Sequence, residues 1–183
     1  MTVDLSSYTS ASFDRGRSPL LEALWLIVRG LLFEANPFGC YALKRLVLRW
    51  FGAKVGRGVI VKPRAKITFP WKLSIGDHSW LGEESWLHNL APIIIEDNVC
   101  VSQRSFLCTG SHDYKSQSFN LITKPIVVRN GAWIAAGAWV GPGVEIGSHV
   151  VVTAGSVVTR NLAPYAIYQG NPAAFLRERT ITR

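Results

Sequence analysis

An aliphatic residue recurs at every sixth position over most of this 183-residue chain, and this period constrains the fold more than any other feature. The fifteen sites that share the period all carry Val, Ile or Leu: Val55, Val61, Ile67, Ile75, Leu81, Leu87, Ile95, Val101, Leu107, Val128, Ile134, Val140, Ile146, Val152 and Val158. A six-residue period matches neither the 3.6-residue period of a helix nor the two-residue alternation of a long strand. It predicts a short strand followed by a corner, repeated many times, with the aliphatic side chain pointing inward.

Three such units make one triangular coil of 18 residues, and the predicted coils are 55–72, 75–92, 95–112, 128–145 and 146–163. Five coils stacked in parallel give a prism roughly 24 Å tall at the spacing of neighbouring strands. The predicted fold is all-β, a parallel β-helix of about five coils with N-terminal helices and a long external loop at 113–127. A β-sandwich is disfavoured, because it requires two-residue alternation and hairpin turns.

A glycine follows the inward aliphatic residue in five of the fifteen units, and these positions fall at predicted corners. They are Gly56, Gly76, Gly82, Gly141 and Gly147. Glycine adopts backbone conformations that other residues avoid, so we expect these five residues to permit the turns.

Two helices are predicted ahead of the β-helix, at 19–33 and 38–51, separated by Asn36-Pro37. The second mixes apolar residues with three basic ones, Lys44, Arg45 and Arg49. Two uses of the segment 19–51 stay open at this point. It covers the open end of the prism, or it contacts an anionic membrane surface as a peripheral element.

Composition and charge exclude several classes of protein. Hydrophobic residues make up 48% of the chain and charged residues 17%, which excludes a disordered protein. The net charge of +8 favours anionic partners, but the segment 55–159 is nearly balanced and no long basic run occurs, so nucleic-acid binding is disfavoured. Three cysteines without metal-ligand spacing, and no secretory signal or spanning helix, predict a cytoplasmic protein, with a peripheral position at the inner face of the membrane left open.

Several motifs resemble those of the hexapeptide-repeat acyltransferases. They are Thr109-Gly110-Ser111-His112-Asp113, Trp133-Ile134-Ala135, Ala154-Gly155-Ser156-Val157-Val158-Thr159 and Gly170-Asn171-Pro172-Ala173. The N-terminal helices, Phe51-Gly52-Ala53-Lys54-Val55-Gly56, Asn89-Leu90-Ala91-Pro92 and Leu107-Cys108-Thr109-Gly110 are most similar to the branch of colanic acid biosynthesis acetyltransferases. The resemblance covers almost the whole chain. It implies a left-handed parallel β-helix, a homotrimer with each active site between two subunits, and acyl transfer from a coenzyme A thioester to a hydroxyl or an amine.

Together, the period and the resemblance divide the chain into three parts. Residues 1–54 are predicted to form an N-terminal helical cap, residues 55–163 the β-helix with the loop 113–127, and residues 164–183 a C-terminal tail that binds the coenzyme. The tail from residue 160 onward carries four Arg against the single acidic residue Glu178.

Acyl transfer to an alcohol needs a base that removes the hydroxyl proton, and imidazole is suited to this near neutral pH. Among the four histidines, His112 alone stands where the excursion departs, and it matches the family's catalytic histidine. We therefore predict that His112 is the general base. His88 is a second candidate, and His78 and His149 are expected on exposed faces.

Carboxylate and amide side chains near this base are the candidates for orienting it and for holding the acceptor. Asp113 or Glu84 is predicted to orient the imidazole through a hydrogen bond. Glu84 and Asn89 are the candidates for binding the acceptor sugar. In the galactoside branch of the family, an asparagine one coil before the histidine binds the acceptor. The resemblance puts Gly82 or Glu83 at that place, so the specificity for the acceptor stays open.

For acetyl-CoA, the resemblance implies binding residues in the second half of the chain. It places a backbone N–H for the developing oxyanion near Ala136, and Trp133 beside the channel of the pantetheine arm. Small residues such as Ala154 leave room for that arm, and basic or hydroxyl side chains suit the phosphates. The residues predicted for the phosphates are Thr159, Arg160, Arg177 and Arg179.

The sequence thus predicts an acetyl-CoA-dependent O-acetyltransferase that acts on a sugar, an exopolysaccharide precursor or a lipid-linked oligosaccharide, without a metal. Two alternatives are weighed against it. One is a trimeric scaffold without turnover. The other is a metal enzyme like the γ-carbonic anhydrases, which needs three histidines that converge on zinc.

Overall fold

A computed structural model describes residues 2–10, 13–35 and 39–182, and these residues form a parallel β-helix preceded by two helices. Three sheets, I, II and III, are named in the order in which the chain visits them. Sheet I contains β1 (Lys54–Val55), β4 (Leu73–Ile75), β7 (Ile93–Ile95), β12 (Ile126–Val128) and β15 (Glu145–Ile146). Sheet II contains β2 (Ile60–Val61), β5 (Trp80–Leu81), β8 (Cys100–Val101), β13 (Trp133–Ile134) and β16 (Val151–Val152), followed by β18 (Ala166–Gly170) and β19 (Ala173–Glu178). Sheet III contains β3 (Lys66–Ile67), β6 (Trp86–His88), β9 (Phe106–Cys108), β14 (Trp139–Val140) and β17 (Val157–Val158).

The interior of the prism consists of the fifteen predicted aliphatic side chains, stacked from coil to coil. The most exposed of them, Val55, keeps 9% of its surface, and most of the others keep none. In sheet I, for example, the parallel register aligns Val55 with Ile75 and Ile75 with Ile95. Burying one such side chain contributes about 1.5–3 kcal/mol to folding. The six-residue period therefore predicted both the fold and its core, and this prediction is confirmed.

Five complete coils are present, as predicted, and a sixth begins after them. Leu162 forms a parallel bridge with Ile146, and β18 pairs in parallel with β16. The chain then turns back, because β19 pairs antiparallel with β18. The hairpin of β18 and β19 therefore lies along the C-terminal end of the prism.

The five corner glycines have a different role from the predicted one. None of them has a positive φ, and the left-handed conformation at the corners falls on other residues, such as Glu84 and Gly137. At Gly82 an added Cβ would lie 2.5 Å from the backbone carbon of Ser102 in the next coil. At Gly56, Gly76, Gly82 and Gly147 glycine is required because the next coil approaches closely, and at Gly141 an added Cβ would meet the ring of Trp139 at 2.8 Å. None of the five is required by a special φ.

Two helices precede the first strand. Helix α1 spans Pro19–Val28, begins with Ser18 as its N-cap, and continues as a π-helical turn over Arg29–Glu34. Helix α2 spans Tyr41–Trp50. The predicted boundary at Asn36-Pro37, together with the predicted start of the second helix at 38, lies outside the described residues. No described helix is long and apolar enough to cross a membrane.

The basic residues of α2 bind the first coil, which has no preceding coil to pair with. Lys44 Nζ donates to the carbonyl oxygen of Val61 at 3.1 Å and to that of Lys62 at 3.4 Å. Arg45 donates to the carbonyl of Val59 at 2.9 Å, and Arg49 likewise binds carbonyls at the start of the coil. These side chains satisfy backbone acceptors that α2 removes from water. Helix α2 thus covers the N-terminal end of the prism.

The excursion is a β-hairpin that leaves the coil earlier than predicted. Strands β10 (Gly110–His112) and β11 (Leu121–Thr123) pair antiparallel, and His112 lies opposite Leu121. The coil is left after Thr109, whose carbonyl accepts from Lys124 N–H at 2.9 Å. His112 therefore lies on the hairpin, beside the edge of the prism, rather than on the coil itself.

Candidate active site

The three sheets meet at three edges, named I–II, II–III and III–I, and the chain turns at each edge once per coil. A cleft of about 390 Å³ lies at edge III–I beside the hairpin, and we call it the histidine cleft. Its lining comes from the coils, the hairpin and the N-terminal segment: Tyr8, Ser10, Phe13, Arg15, His88, Leu90, Gly110, Ser111, His112 and Leu121. The two other histidines, His78 and His149, lie at edge I–II, and His149 packs on Tyr165. The structure thus gathers two of the four histidines in one cleft.

His112 is held in one orientation by the tip of the hairpin. Its Nδ1 lies 2.8 Å from the carbonyl oxygen of Phe119. Because a carbonyl oxygen only accepts, Nδ1 carries the proton in the neutral ring, and Nε2 carries the lone pair. The ring also stacks on Phe119, with centroids 4.5 Å apart and planes 7° from parallel, and contacts the ring of Tyr8. This arrangement leaves Nε2 as the basic atom of the cleft.

A backbone carbonyl therefore occupies the place that the sequence assigned to a carboxylate. Asp113 follows His112 directly, but its Oδ1 accepts from the backbone N–H of Lys115 at 3.1 Å. Phe119 provides the carbonyl from a left-handed conformation, with φ of 50°, which is uncommon for a bulky residue. The prediction that Asp113 or Glu84 orients the imidazole is therefore wrong, because Nδ1 is already bound to this carbonyl.

His88 lines the same cleft from one coil earlier, at the end of β6. Its Nδ1 lies 3.3 Å from Thr68 Oγ1, and its ring contacts the ring of Trp86 edge-on at 5.4 Å. Burial lowers the pKa of His88 below its ordinary value, so that the neutral ring is favoured at pH 7.

Asn89, the next residue, is fully buried, which contradicts its predicted contact with an acceptor. Its Oδ1 accepts from the backbone N–H groups of Thr68 and Phe69, at 3.1 and 2.9 Å. Its Nδ2 donates to the carbonyl of Phe69 at 2.6 Å. The side chain thus joins two successive corners of the coil, and no part of it reaches the cleft.

The N-terminal segment forms one wall of the histidine cleft, and the sequence analysis missed it. Asp4 N–H donates to the carbonyl of Gln117 at 2.9 Å, which attaches the segment to the hairpin. Further along, Phe13 stacks on Phe69, and the carbonyl of Arg15 accepts from Trp71 Nε1 at 2.7 Å. The segment lacks hydrophobic periodicity, so the two aromatic residues in an otherwise polar stretch were the only signal that it packs on the core.

Glu84 lies at a different edge of the prism from His112. A second cleft, of about 450 Å³, lies at edge II–III, and we call it the corner cleft. It is lined by Arg64, Glu83, Glu84, Gln103, Arg104, Ala136 and Gly137. Glu84 binds both Arg64 and Arg104 at 2.8 Å, and the hydrogen bond from Arg104 holds the pKa of this carboxyl below its usual range. The structure thus brings Glu84 together with Ala136, and not with the predicted base.

The edge II–III offers the features that an extended acyl carrier requires. Ala136, Gly137, Ala154 and Gly155 are all exposed there, and at Gly137 and Gly155 an added Cβ would meet nothing within 4 Å. Gly137 N–H donates to the carbonyl of Gln103, and Gly155 N–H to that of Ala136, whereas we find no intramolecular acceptor for Ala136 N–H among the described residues. This edge combines open space with a backbone donor that is not used within the chain.

The other predicted coenzyme residues lie on three further parts of the prism. Trp133, on sheet II, is 44% exposed, and its Nε1 donates to Ser102 Oγ at 2.9 Å. Thr159 and Arg160 follow β17 at edge III–I, where both are exposed. Arg177 is exposed on β19. Arg179 differs from the prediction, because its guanidinium binds the carbonyls of Gly131 and His149 at 3.0 and 3.1 Å.

The metal-enzyme alternative requires side chains that converge on one ion. Within residues 2–10, 13–35 and 39–182, no group of three or more His, Cys, Asp or Glu side chains is arranged to hold a metal ion.

Comparison with known proteins agrees with the fold. A family profile described as the hexapeptide repeat of succinyl-transferase matches residues 136–160. The colanic acid biosynthesis acetyltransferase WcaF of Escherichia coli K12 is 41% identical to this chain over 179 residues, which are 98% of each protein. The protein of the same name from Shigella flexneri gives the same values.

Solved structures extend this likeness to three dimensions. A hexapeptide-repeat acetyltransferase of Vibrio cholerae, complexed with acetyl coenzyme A, superposes with a TM-score of 0.82 at 29% identity, covering 92% of this chain and 93% of the other. A maltose O-acetyltransferase of Clostridium difficile 630 has a TM-score of 0.81 at 24% identity and covers 90% of each chain, which supports the fold alone.

The parallel β-helix of this chain is thus the fold of a solved hexapeptide-repeat acetyltransferase. With a relative 41% identical over 98% of its length, the chain belongs to the hexapeptide-repeat acetyltransferase family. Neither the scaffold nor the γ-carbonic anhydrase alternative is favoured by these comparisons.

Proposed function

We propose that this chain transfers the acetyl group of acetyl-CoA to a hydroxyl group of a sugar, with His112 as the general base. The observation that carries the proposal is the hydrogen bond between His112 Nδ1 and the carbonyl of Phe119. It fixes the tautomer in which Nε2 is basic, inside a cleft large enough for a sugar ring.

In this mechanism His112 Nε2 accepts the proton of the acceptor hydroxyl as its oxygen attacks the acetyl carbonyl carbon. The proton then passes from Nε2 to the departing thiolate, so the base is regenerated and no acyl-enzyme forms. Phe119 stabilises the imidazolium between the two transfers, because its carbonyl accepts from Nδ1–H throughout. Asp113 has a structural role in this proposal, because its Oδ1 accepts from Lys115 N–H and so holds the loop of the hairpin.

Acetyl-CoA supplies the activated acetyl group, and the residues of edge II–III fit the shape of such a carrier. The open surface at Gly137 and Gly155 accommodates an extended arm, and Ala136 N–H is available to the carbonyl oxygen as it becomes an oxyanion. Trp133 flanks this edge on sheet II, while Thr159, Arg160 and Arg177 offer exposed donors for phosphates.

The two halves of this proposed site lie on different edges of one chain, and this supports a homotrimer. His112 is at edge III–I, and Ala136 is at edge II–III, with sheet III between them. In a ring of three copies related by a threefold axis, the His112 edge of one copy can face the Ala136 edge of the next. Glu84, which lines the corner cleft, would then lie near the acceptor bound beside the neighbouring His112.

The assay for this function combines acetyl-CoA with a panel of p-nitrophenyl pyranosides, a thiol reagent that reports free coenzyme A, and mass spectrometry of the sugar. We expect coenzyme A release that depends on the glycoside and a product heavier by one acetyl group. A titration that shows no binding of coenzyme A would favour the scaffold alternative. The relative named for colanic acid biosynthesis supports an exopolysaccharide precursor or a lipid-linked oligosaccharide as the physiological acceptor.

Contact with a membrane surface is a further part of the proposal, and helix α1 supports it better than α2. Four apolar residues of the α1 segment are 50–84% exposed and follow each other at the spacing of one helix face: Leu20, Leu24, Ile27 and Leu31. Trp50, at the end of α2, is 72% exposed. The basic residues of α2 bind the first coil instead, so we attribute membrane contact to the apolar stripe.

We expect the double change Leu24→Ser and Ile27→Ser to reduce partitioning onto vesicles of phosphatidylcholine and phosphatidylglycerol about tenfold or more, since each side chain loses about 1.5–3 kcal/mol of transfer free energy when fully buried. Co-sedimentation measures the bound fraction. Leu176→Ser is the matched control, because Leu176 is 52% exposed on β19 and outside the stripe. If the wild-type protein fails to bind these vesicles, the proposed membrane contact is wrong.

A further inference from the structure

We infer that His88 binds the sugar acceptor through its Nε2, by a hydrogen bond to a hydroxyl next to the one that is acetylated. This inference rests on the proposed function. It gives the second histidine of the cleft a role in recognising the acceptor that is separate from proton transfer by His112.

The position of His88 supports this role. In the parallel register of sheet III, His88 pairs with Cys108, and two residues beyond Cys108 the chain enters the hairpin that carries His112. His88 and His112 therefore lie one coil apart at the same edge, and both line the 390 Å³ cleft. A sugar that presents one hydroxyl to His112 places its neighbouring hydroxyl toward this part of the lining.

The surroundings of His88 fix the ring and leave one nitrogen for a ligand. Nδ1 faces Thr68 Oγ1 at 3.3 Å, and the ring packs against Trp86 and, with centroids 6.2 Å apart, against Phe106. No hydrogen bond from the described residues reaches Nε2. Gly110 lies beside this side of the ring, since a Cβ added there would be 3.9 Å from His88 Cδ2, the atom next to Nε2. The same Cβ would lie 2.9 Å from Leu90 Cδ1, so a larger residue at Gly110 would crowd Leu90 and this side of the His88 ring.

The protonation state fits binding to a hydroxyl better than a second proton transfer. Burial lowers the pKa of His88, so the ring stays neutral at pH 7 and carries one N–H and one lone pair. The hydroxyl of Thr68 can donate to Nδ1 or accept from it, and Nε2 takes the complementary role. A sugar hydroxyl can match either role, because it is both donor and acceptor.

The test uses the whole chain with acetyl-CoA and the p-nitrophenyl pyranoside that the wild type acetylates fastest. His88→Leu keeps apolar packing against Trp86 and Phe106 but removes both ring nitrogens. We expect this change to raise the KM for the glycoside about tenfold, because one hydroxyl of the bound sugar loses its hydrogen bond. The KM for acetyl-CoA should be unchanged, and kcat should stay within about threefold of the wild-type value. We expect His88→Gln, whose amide reaches the place of Nε2, to recover part of the loss.

His78→Leu is the matched control, because His78 is exposed at edge I–II, and it should leave both KM values unchanged. Two results overturn the inference while the proposed function stands. One is an unchanged KM for the glycoside in His88→Leu, and the other is a loss of kcat of about 100-fold at unchanged KM, which would make His88 the base. Failure of the wild type to acetylate any glycoside would overturn the proposed function and this inference together.

Discussion

We expect His112→Ala to lower kcat for acetyl transfer at least about 100-fold, the usual contribution of a positioned general base. The reason is that a neutral sugar hydroxyl is a poor nucleophile and the described lining of the histidine cleft offers one ring nitrogen whose basic tautomer is fixed by a hydrogen bond to a backbone carbonyl. Steady-state rates with acetyl-CoA and an accepted glycoside measure the effect. The KM for acetyl-CoA should stay the same, because the residues proposed to bind it do not include His112.

His78→Ala serves as the control for this change, since it also removes one imidazole but lies at another edge of the prism. Its kcat should equal that of the wild type. Circular dichroism and thermal melting establish that both variants keep the fold. Retention of more than about one tenth of the wild-type kcat by His112→Ala would exclude its assignment as the base.

The largest expected effect on stability comes from Lys44→Ala. Lys44 is 1% exposed, it donates to the carbonyls of Val61 and Lys62, and its Nζ lies 5.7 Å from the centroid of the Phe33 ring. Burial lowers the pKa of Lys44, but both protonation states keep at least two N–H donors for the two carbonyls. Alanine leaves the carbonyl of Val61 unpaired under α2 and leaves that of Lys62 with a 3.4 Å hydrogen bond from Ala65 N–H. We expect a loss of about 2–4 kcal/mol in the free energy of unfolding.

Urea titration followed by circular dichroism measures this loss, and Lys54→Ala is the control. Lys54 is exposed at the start of β1, so its replacement should change the free energy of unfolding by less than about 0.5 kcal/mol. Equal stability of the two alanine variants would contradict the account of how α2 covers the first coil. Lys44→Met separates the two contributions, because it keeps the packing and removes the donors.

The fold could be predicted from the sequence because its core repeats. Each six-residue unit buries an aliphatic residue at the same place, so the signal accumulates over fifteen positions and depends on no single residue. His112 could be singled out for a similar reason, since the excursion interrupts the period beside it. The five glycines were correctly placed at corners, but the predicted reason was wrong. Most of them are needed because the next coil lies close by, and this tertiary contact cannot be recognised from the local sequence.

Other parts of the site depend on contacts that leave no trace in a periodic pattern. The hydrogen bond from His112 to Phe119 uses the backbone carbonyl, so the type of side chain at position 119 does not predict it. Asn89 resembles an acceptor ligand in sequence, but its amide matches the backbone groups of two corners and is buried by them. The N-terminal wall, with Tyr8 against His112, forms between residues that are far apart in the chain.

The account depends above all on a catalytic site that two copies of the chain build together, and subunit complementation measures this directly. Coexpression of His112→Ala with Ala136→Trp, under different affinity tags, allows mixed trimers to be isolated. Ala136 is exposed, so a bulky side chain there blocks the corner cleft without entering the core. Each variant alone should be inactive. Every mixed trimer then contains one intact site of three, and we predict about one third of wild-type activity. Mixed trimers as inactive as their parents would show that each site is confined to one chain.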